Sequence, residues 1–130
     1  MHPLTAPPAL VAEAMRKAAV CWLSVGGATA YPVWCAWAEG GLQVVSGPGE
    51  QPAPGLAEAA TVDVTARGDH GGAIVTWPAT VQRLRPDTPE WDTLVPGLAA
   101  RRLNSAPTAE LVRRWAQSNV VVRLIPQTAG

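Results

Sequence analysis

Phenylalanine is missing from this 130-residue chain, tyrosine occurs once, and Lys17 is its one lysine. Six tryptophans carry the aromatic role, and Ala, Pro, Gly and Arg are common. The pattern fits GC-rich coding, which favours Arg over Lys for compositional reasons alone. An excess of charge is missing too, with ten basic residues against ten acidic ones. Such a chain has no global field to draw in nucleic acid or an anionic membrane, so any anion site must be local. The longest apolar run, 119–126, is broken by Arg123 and falls far short of the ~20 residues a membrane-spanning helix needs. The opening MHPLTAPPAL lacks the basic segment and long apolar stretch of a secretory signal. The expectation is a cytoplasmic protein with neither a membrane nor a nucleic-acid partner. Cysteine is scarce: Cys21 and Cys35 stand outside any CxxC and away from histidine, so no zinc-ligand pattern exists and no metal site is expected. Both read as buried thiols acting as small hydrophobes. A disulfide between them is conceivable if their strands pair, but a reducing cytoplasm disfavours it.

What is present argues for a packed core. Hydrophobic residues make up 48% of the chain and mean hydropathy is +0.09, which argues against disorder. The length suits one domain over 1–130. PPALVAEAMRKAA (7–19) spaces Leu10, Val11, Ala14, Met15 and Ala18 as a short amphipathic helix. VCWLSV (20–25) is a strand ending at Gly26-Gly27. ATAYPVWCAWAEGGLQVVSG (28–47) reads as two strands joined by a tight turn at Glu39-Gly40-Gly41. The first of them is apolar on both faces, so it is expected to be covered on both sides. Pro32, unable to donate a ladder bond, belongs at a strand start or edge. PGLAEAA (54–60) is a short helix, and TVDVTA (61–66) is an alternating strand. AIVTWPATVQRLRP (73–86) is a long strand, expected to be interrupted at Pro78. Asp87, Thr88 and Pro89 open one or two helical turns around Pro96-Gly97. Thr108 caps a helix carrying Leu111, Val112 and Trp115 on one stripe, and NVVVRLIP (119–126) is the last strand. Mostly consecutive strands with short connections favour antiparallel pairing, and about six of them can close into a small barrel.

The segment SGPGEQPAPGLAEAA (46–60) has the outline of a phosphate-cradling loop: a strand leads in, glycines turn the chain, and a helix-like run follows. Yet no Lys or Arg lies between Lys17 and Arg67, Glu50 adds a negative charge, and prolines at 48, 52 and 54 remove backbone donors. Other chemistry has little support. His70 in RGDHGG has no second ligand nearby, Ser24 and Ser46 lack a GxSxG setting, and Arg101-Arg102 and Arg113-Arg114 read as solvated helix faces.

Taken in order, CWLSVGG-ATAYPVWCAWAEGGLQVVSGPGE, a helix, ATVDVT and AIVTWPATVQRL resemble the FMN-binding split barrels related to pyridoxamine 5'-phosphate oxidase. The resemblance covers residues 18 to about 85 and, beyond that, element order alone. It implies a mainly β fold with small helices, a six-stranded antiparallel split β-barrel of the FMN-binding type. It also implies a homodimer, with a small-molecule ligand in the groove between subunits, and flavin-dependent oxidoreductase activity. Some relatives hold a deazaflavin or haem instead, and others have lost their cofactor. Carried onto this chain, the expected cofactor contacts are Ser46 and Gly47 at the strand end, Trp34 against a flat ring, and Arg83 and Arg85. Those two arginines are read as sharing one strand face and able to reach a partner's loop. The family's loop usually carries Lys or Arg where this chain has Gln51, Pro52, Ala53 and Pro54. Trp77-Pro78 stands where a glycine is usual, so Trp77 is expected to narrow the groove. No residue declares itself a catalytic acid or base. The alternative is a non-catalytic split barrel serving as a binding or structural module.

Overall fold

A computed structural model describes residues 8–27, 29–67, 74–101 and 107–127. The chain runs α1 (Pro8–Arg16), β1 (Val20–Ser24), β2 (Ala30–Ala38), β3 (Gly41–Ser46), a single 3-10 turn (Leu56–Glu58), β4 (Thr61–Arg67), β5 (Ile74–Arg83), α2 (Pro89–Arg101), α3 (Thr108–Ser118) and β6 (Val120–Pro126). The strands close into a barrel in the order β1-β2-β3-β6-β5-β4, with every pairing antiparallel. This is the six-stranded antiparallel barrel expected from the sequence. Residues 68–73, with His70, lie outside the described residues, as do the first seven residues.

Period-two alternation sorts the side chains into two cores. Cys21, Leu23, Val33, Cys35, Leu42, Val44, Val62, Val64, Trp77, Ala79, Val122 and Leu124 fill the barrel, with Val11 and Met15 of α1 packed onto the same cluster. The opposite face of β2, β3 and β6 presents Ala36, Val45 and Val121 to Trp91, Leu94, Val95 and Leu98 of α2 and to Leu111 and Trp115 of α3. Hence β2 is apolar on both faces, and Trp34 and Trp37 part company there. Trp37 turns inward and meets Trp77 edge to face, with ring centroids 6.2 Å apart at 82°. Trp34 packs from outside against the helical cluster.

Several expectations need correcting. Trp77 does not narrow a surface groove: it is fully buried inside the barrel. Burying such a side chain contributes roughly 3 kcal/mol, and its unpartnered indole N–H gives back about 1–3. β5 runs through Pro78 without interruption, and Pro32 sits inside β2. Pro32 falls where β3 has not yet joined β2, which it does only from Cys35, so its missing N–H deprives no partner. Pro78 lies at the last rung toward β6, where its carbonyl accepts from the Gln127 N–H at 3.0 Å and only the return bond is lost. Pro96 lies within one continuous α2, whose buried face of Trp91, Leu94, Val95, Leu98 and Ala99 offsets the ~3 kcal/mol an interior proline costs. Residues 54–60 form only the 3-10 turn, because Pro54 and Gly55 delay its start and Ala59 is already extended. Thr108 is the first residue of α3 rather than its cap, which is Pro107. Thr88 does cap α2: its Oγ1 accepts from the Trp91 N–H at 3.2 Å and donates to the Arg85 carbonyl at 2.7 Å.

Cys21 and Cys35 are free and buried, on the neighbouring strands β1 and β2. The Cys35 thiol donates to the Ala18 carbonyl at 3.6 Å. The hydrogen bond that the Cys21 thiol donates to Cys35, then burial, then Cys35's charge when ionised, hold the Cys21 thiol well above the ordinary thiol range. Both behave as inert core groups. No helix among the described residues is long and apolar enough to cross a membrane.

Candidate functional site

β3 ends at Ser46, and there the chain leaves the barrel through Gly47, whose φ of 112° suits glycine alone. The loop turns back on itself, the Glu50 N–H donating to the Gly47 carbonyl at 2.9 Å. It then runs along the barrel mouth into the 3-10 turn. Between the strand end and this returning segment lies a groove of about 300 Å3, lined by Ser46, Gly47, residues 52–58 and Val120. Its walls are largely apolar: two prolines, three alanine or leucine side chains and a valine. Glu58 is its one charged residue, and no cation lines it.

The loop's shape is dictated from α3. Asn119, the residue after α3, is buried, and its Nδ2 donates to both the Ser46 and Pro48 carbonyls at 3.0 Å. A Cβ on Gly47 would stand 3.3 Å from that same Nδ2, so the glycine lets the amide approach. One turn back, the Trp115 indole N–H donates to Glu50 Oε2 at 3.2 Å, tying the loop carboxylate to the helix. Arg114 arrives on the same helix: its Nη1 lies 3.6 Å from where a Gly49 Cβ would be. A cation therefore does stand beside the loop, supplied by α3.

The expected contact residues are not gathered in one place within the protomer. Ser46 and Gly47 line the groove described above. Arg83 is the last residue of β5, and Arg85 lies beyond it in the turn before α2, so they do not share a strand face. They do meet across a separate cleft of about 180 Å3, with Gln82, Leu84, Thr88 and Glu90. Trp34 lines a third, with Val20, Pro32, Val33 and Gln51, also about 180 Å3. Sequence reasoning missed Asn119, Trp115 and Arg114. A residue spacing of 65 to 73 positions joins them to the loop, and no local pattern encodes such a pairing. Their one visible signal was an Asn directly after a helix whose other polar residues are exposed. Among the described residues no three His, Cys, Asp or Glu side chains are placed to share a metal ion.

No protein-family model matches the chain, and no curated protein matches it. Solved structures do. The heme storage protein HutZ from Vibrio cholerae superposes with a TM-score of 0.63 at 14% identity, covering 93% of this chain and 90% of HutZ. A putative 5-nitroimidazole antibiotic resistance protein from Bacteroides thetaiotaomicron gives 0.63 at 14% identity, covering 92% of this chain and 80% of its own. A FAD-binding protein from Mesorhizobium loti gives 0.58 at 16% identity, with 96% and 91% covered. At these identities the likeness shows the fold: a split barrel shared with proteins described as storing haem and binding a flavin.

Proposed function

We propose that the chain is a flavin-binding split barrel, FMN being the first candidate, that works as a homodimer and belongs to a flavin-dependent oxidoreductase. The observation that carries this reading is the groove between the end of β3 and residues 52–58, set in a fold shared with FAD-binding and haem-storing proteins. Its ~300 Å3 lies at the lower end of ligand-pocket sizes, enough for a flat ring and too little for a whole dinucleotide. Its apolar walls suit the ring. Its lining does not suit a phosphate, because Glu58 is the charge it presents. The phosphate end would therefore lie outside the groove, against Arg114 beside Gly49 or against Arg83 and Arg85 of a second copy. A bound flavin supplies hydride or single-electron chemistry. The chain's own part is to hold the ring, keep water from it and shape the wall through Asn119. A deazaflavin would satisfy the same walls; for haem, both histidines, His2 and His70, lie outside the described residues.

The absence of a lining cation, with Glu58 in the wall, favours a second reading, a non-catalytic split barrel that binds another ligand or none. Visible absorption after loading with FMN or with riboflavin, followed by desalting, separates the two. Ring-driven binding predicts that both are retained with affinities within about tenfold of each other, since only the phosphate differs. A preference for FMN well beyond that would place the phosphate in a built cationic site. Loss of both flavins on desalting would sink the flavin reading and leave the second, with haemin titrated separately.

A further inference from the structure

The groove at the end of β3 is short of hydrogen-bond donors. Pro52 and Pro54 have no N–H, and the N–H groups of Leu56 and Glu58 are spent on the Ala53 and Gly55 carbonyls. No cation lines the groove, and Asn119 commits its Nδ2 to the Ser46 and Pro48 carbonyls. Two polar side chains do line it. Glu58 stands exposed in the wall, and an ionised carboxylate only accepts. Ser46 is the other. It is 4% exposed and shares the barrel-interior side of β3 with Leu42 and Val44. Its hydroxyl has no hydrogen-bond partner among the described residues, and its oxygen is not sealed from the surface. A nearly buried, unpartnered hydroxyl therefore opens on the groove that Ser46 lines.

We infer that this groove selects a flat nitrogen heterocycle that brings its own donors, an amino-substituted ring system of the 2-amino-4-oxopyrimidine type, as in pterins. The inference rests on the reading of the groove as a ring site, and not on that ring being a flavin. The 2-amino group and the neighbouring ring N–H lie side by side and match the two oxygens of one carboxylate, Glu58. Ser46 Oγ can donate to a ring nitrogen deeper in the groove. Pro52, Pro54, Leu56 and Val120 cover the ring faces, and about 300 Å3 holds two fused six-membered rings. A 2,4-dioxo edge does the opposite, flanking its one N–H with two carbonyls that Glu58 repels. A flavin carries that dioxo edge and has to turn it away from Glu58. Water competes for an exposed carboxylate, so the expected discrimination is about tenfold rather than thousands.

The test is a fluorescence titration of the whole chain with pterin and with lumazine, its 2,4-dioxo counterpart, beside riboflavin. Pterin should bind about tenfold tighter than lumazine. Glu58→Gln should bring the two within about threefold, because an amide offers one donor and one acceptor in place of two acceptors. Ser46→Ala should weaken both by about threefold. Glu58 is exposed, so its variant keeps the test valid if the Ser46 variant disturbs the barrel mouth. Equal affinity for pterin and lumazine would overturn the inference, as would a pterin preference that survives Glu58→Gln. Riboflavin separates this result from the flavin reading. Riboflavin bound without pterin overturns the inference and leaves that reading standing. Pterin bound without riboflavin does the reverse, and binding of none of the three overturns both.

Discussion

The two ends of β3 solve the same problem with different side chains. At Ser46 the strand runs out, and the freed carbonyls of Ser46 and Pro48 are taken by one buried amide, Asn119 Nδ2. At Gly41 the strand begins, and the carbonyls before it are taken by Gln43 and Arg123, two side chains that bring surplus polar atoms with them. The first end is satisfied along its backbone and apolar in its groove, at the cost of one buried acceptor, Asn119 Oδ1, left without a partner. The second leaves an acceptor on Gln43 and a charged donor on Arg123 without partners. One short amide thus serves two carbonyls and leaves one atom over, whereas two long side chains serve one carbonyl each and leave two.

Asn119→Ala should have the largest effect. It strips the donor from two carbonyls, an expected loss of ~3 kcal/mol in urea unfolding, with flavin retention falling in parallel. A loss under ~1 kcal/mol would mean the loop keeps its shape without α3. Gly47→Ala forces a side chain into φ 112° with Asn119 Nδ2 3.3 Å away, and should cost about 2 kcal/mol by the same measurement. Gln43→Leu sharpens the contrast from the other side: removing an unpartnered buried acceptor should leave stability unchanged or raise it by about 1 kcal/mol. A clear destabilisation would show that Gln43 is satisfied in solution. The smallest effect concerns Cys21, next to neither end. Its folded thiol ionises at higher pH than an unfolded one near 8.5, so its contribution is complete below that value and fades as pH climbs toward the folded one. Relative to Cys21→Ala, the parent should lose about 0.8 kcal/mol between neutral pH and roughly pH 9, read from urea midpoints.

The alternation in residues 31–37 and 61–66, the glycines of the turns and the cap at Thr88 made the barrel's strands, their succession along the chain and α2's start legible in the sequence, though not their order round the barrel. The prolines misled because their meaning depends on neighbours. Pro32 is harmless because β2 lacks its second partner there, Pro78 because it sits at the last rung toward β6, and Pro96 because α2's apolar face is fully packed. Of the site, Ser46 and Gly47 were legible as a strand end and a turn that only glycine makes. Asn119 and Arg114 were not, since their significance arises when β6 brings the end of α3 beside a loop some 70 positions earlier. Arg123 was visible only as a break in an apolar run, and what seats it, Gly41, where a Cβ would meet the Arg123 stem, passed for turn geometry.

The position of β6 bears on how the protein is made. It lies between β3 and β5, so until it is in place both of those strands keep a row of unpaired backbone groups. On a ribosome, everything through α3 emerges before the strand that closes the ring. The nascent chain therefore holds two adhesive edges open to the last moment, when it is most exposed to pairing with another copy and most dependent on chaperones.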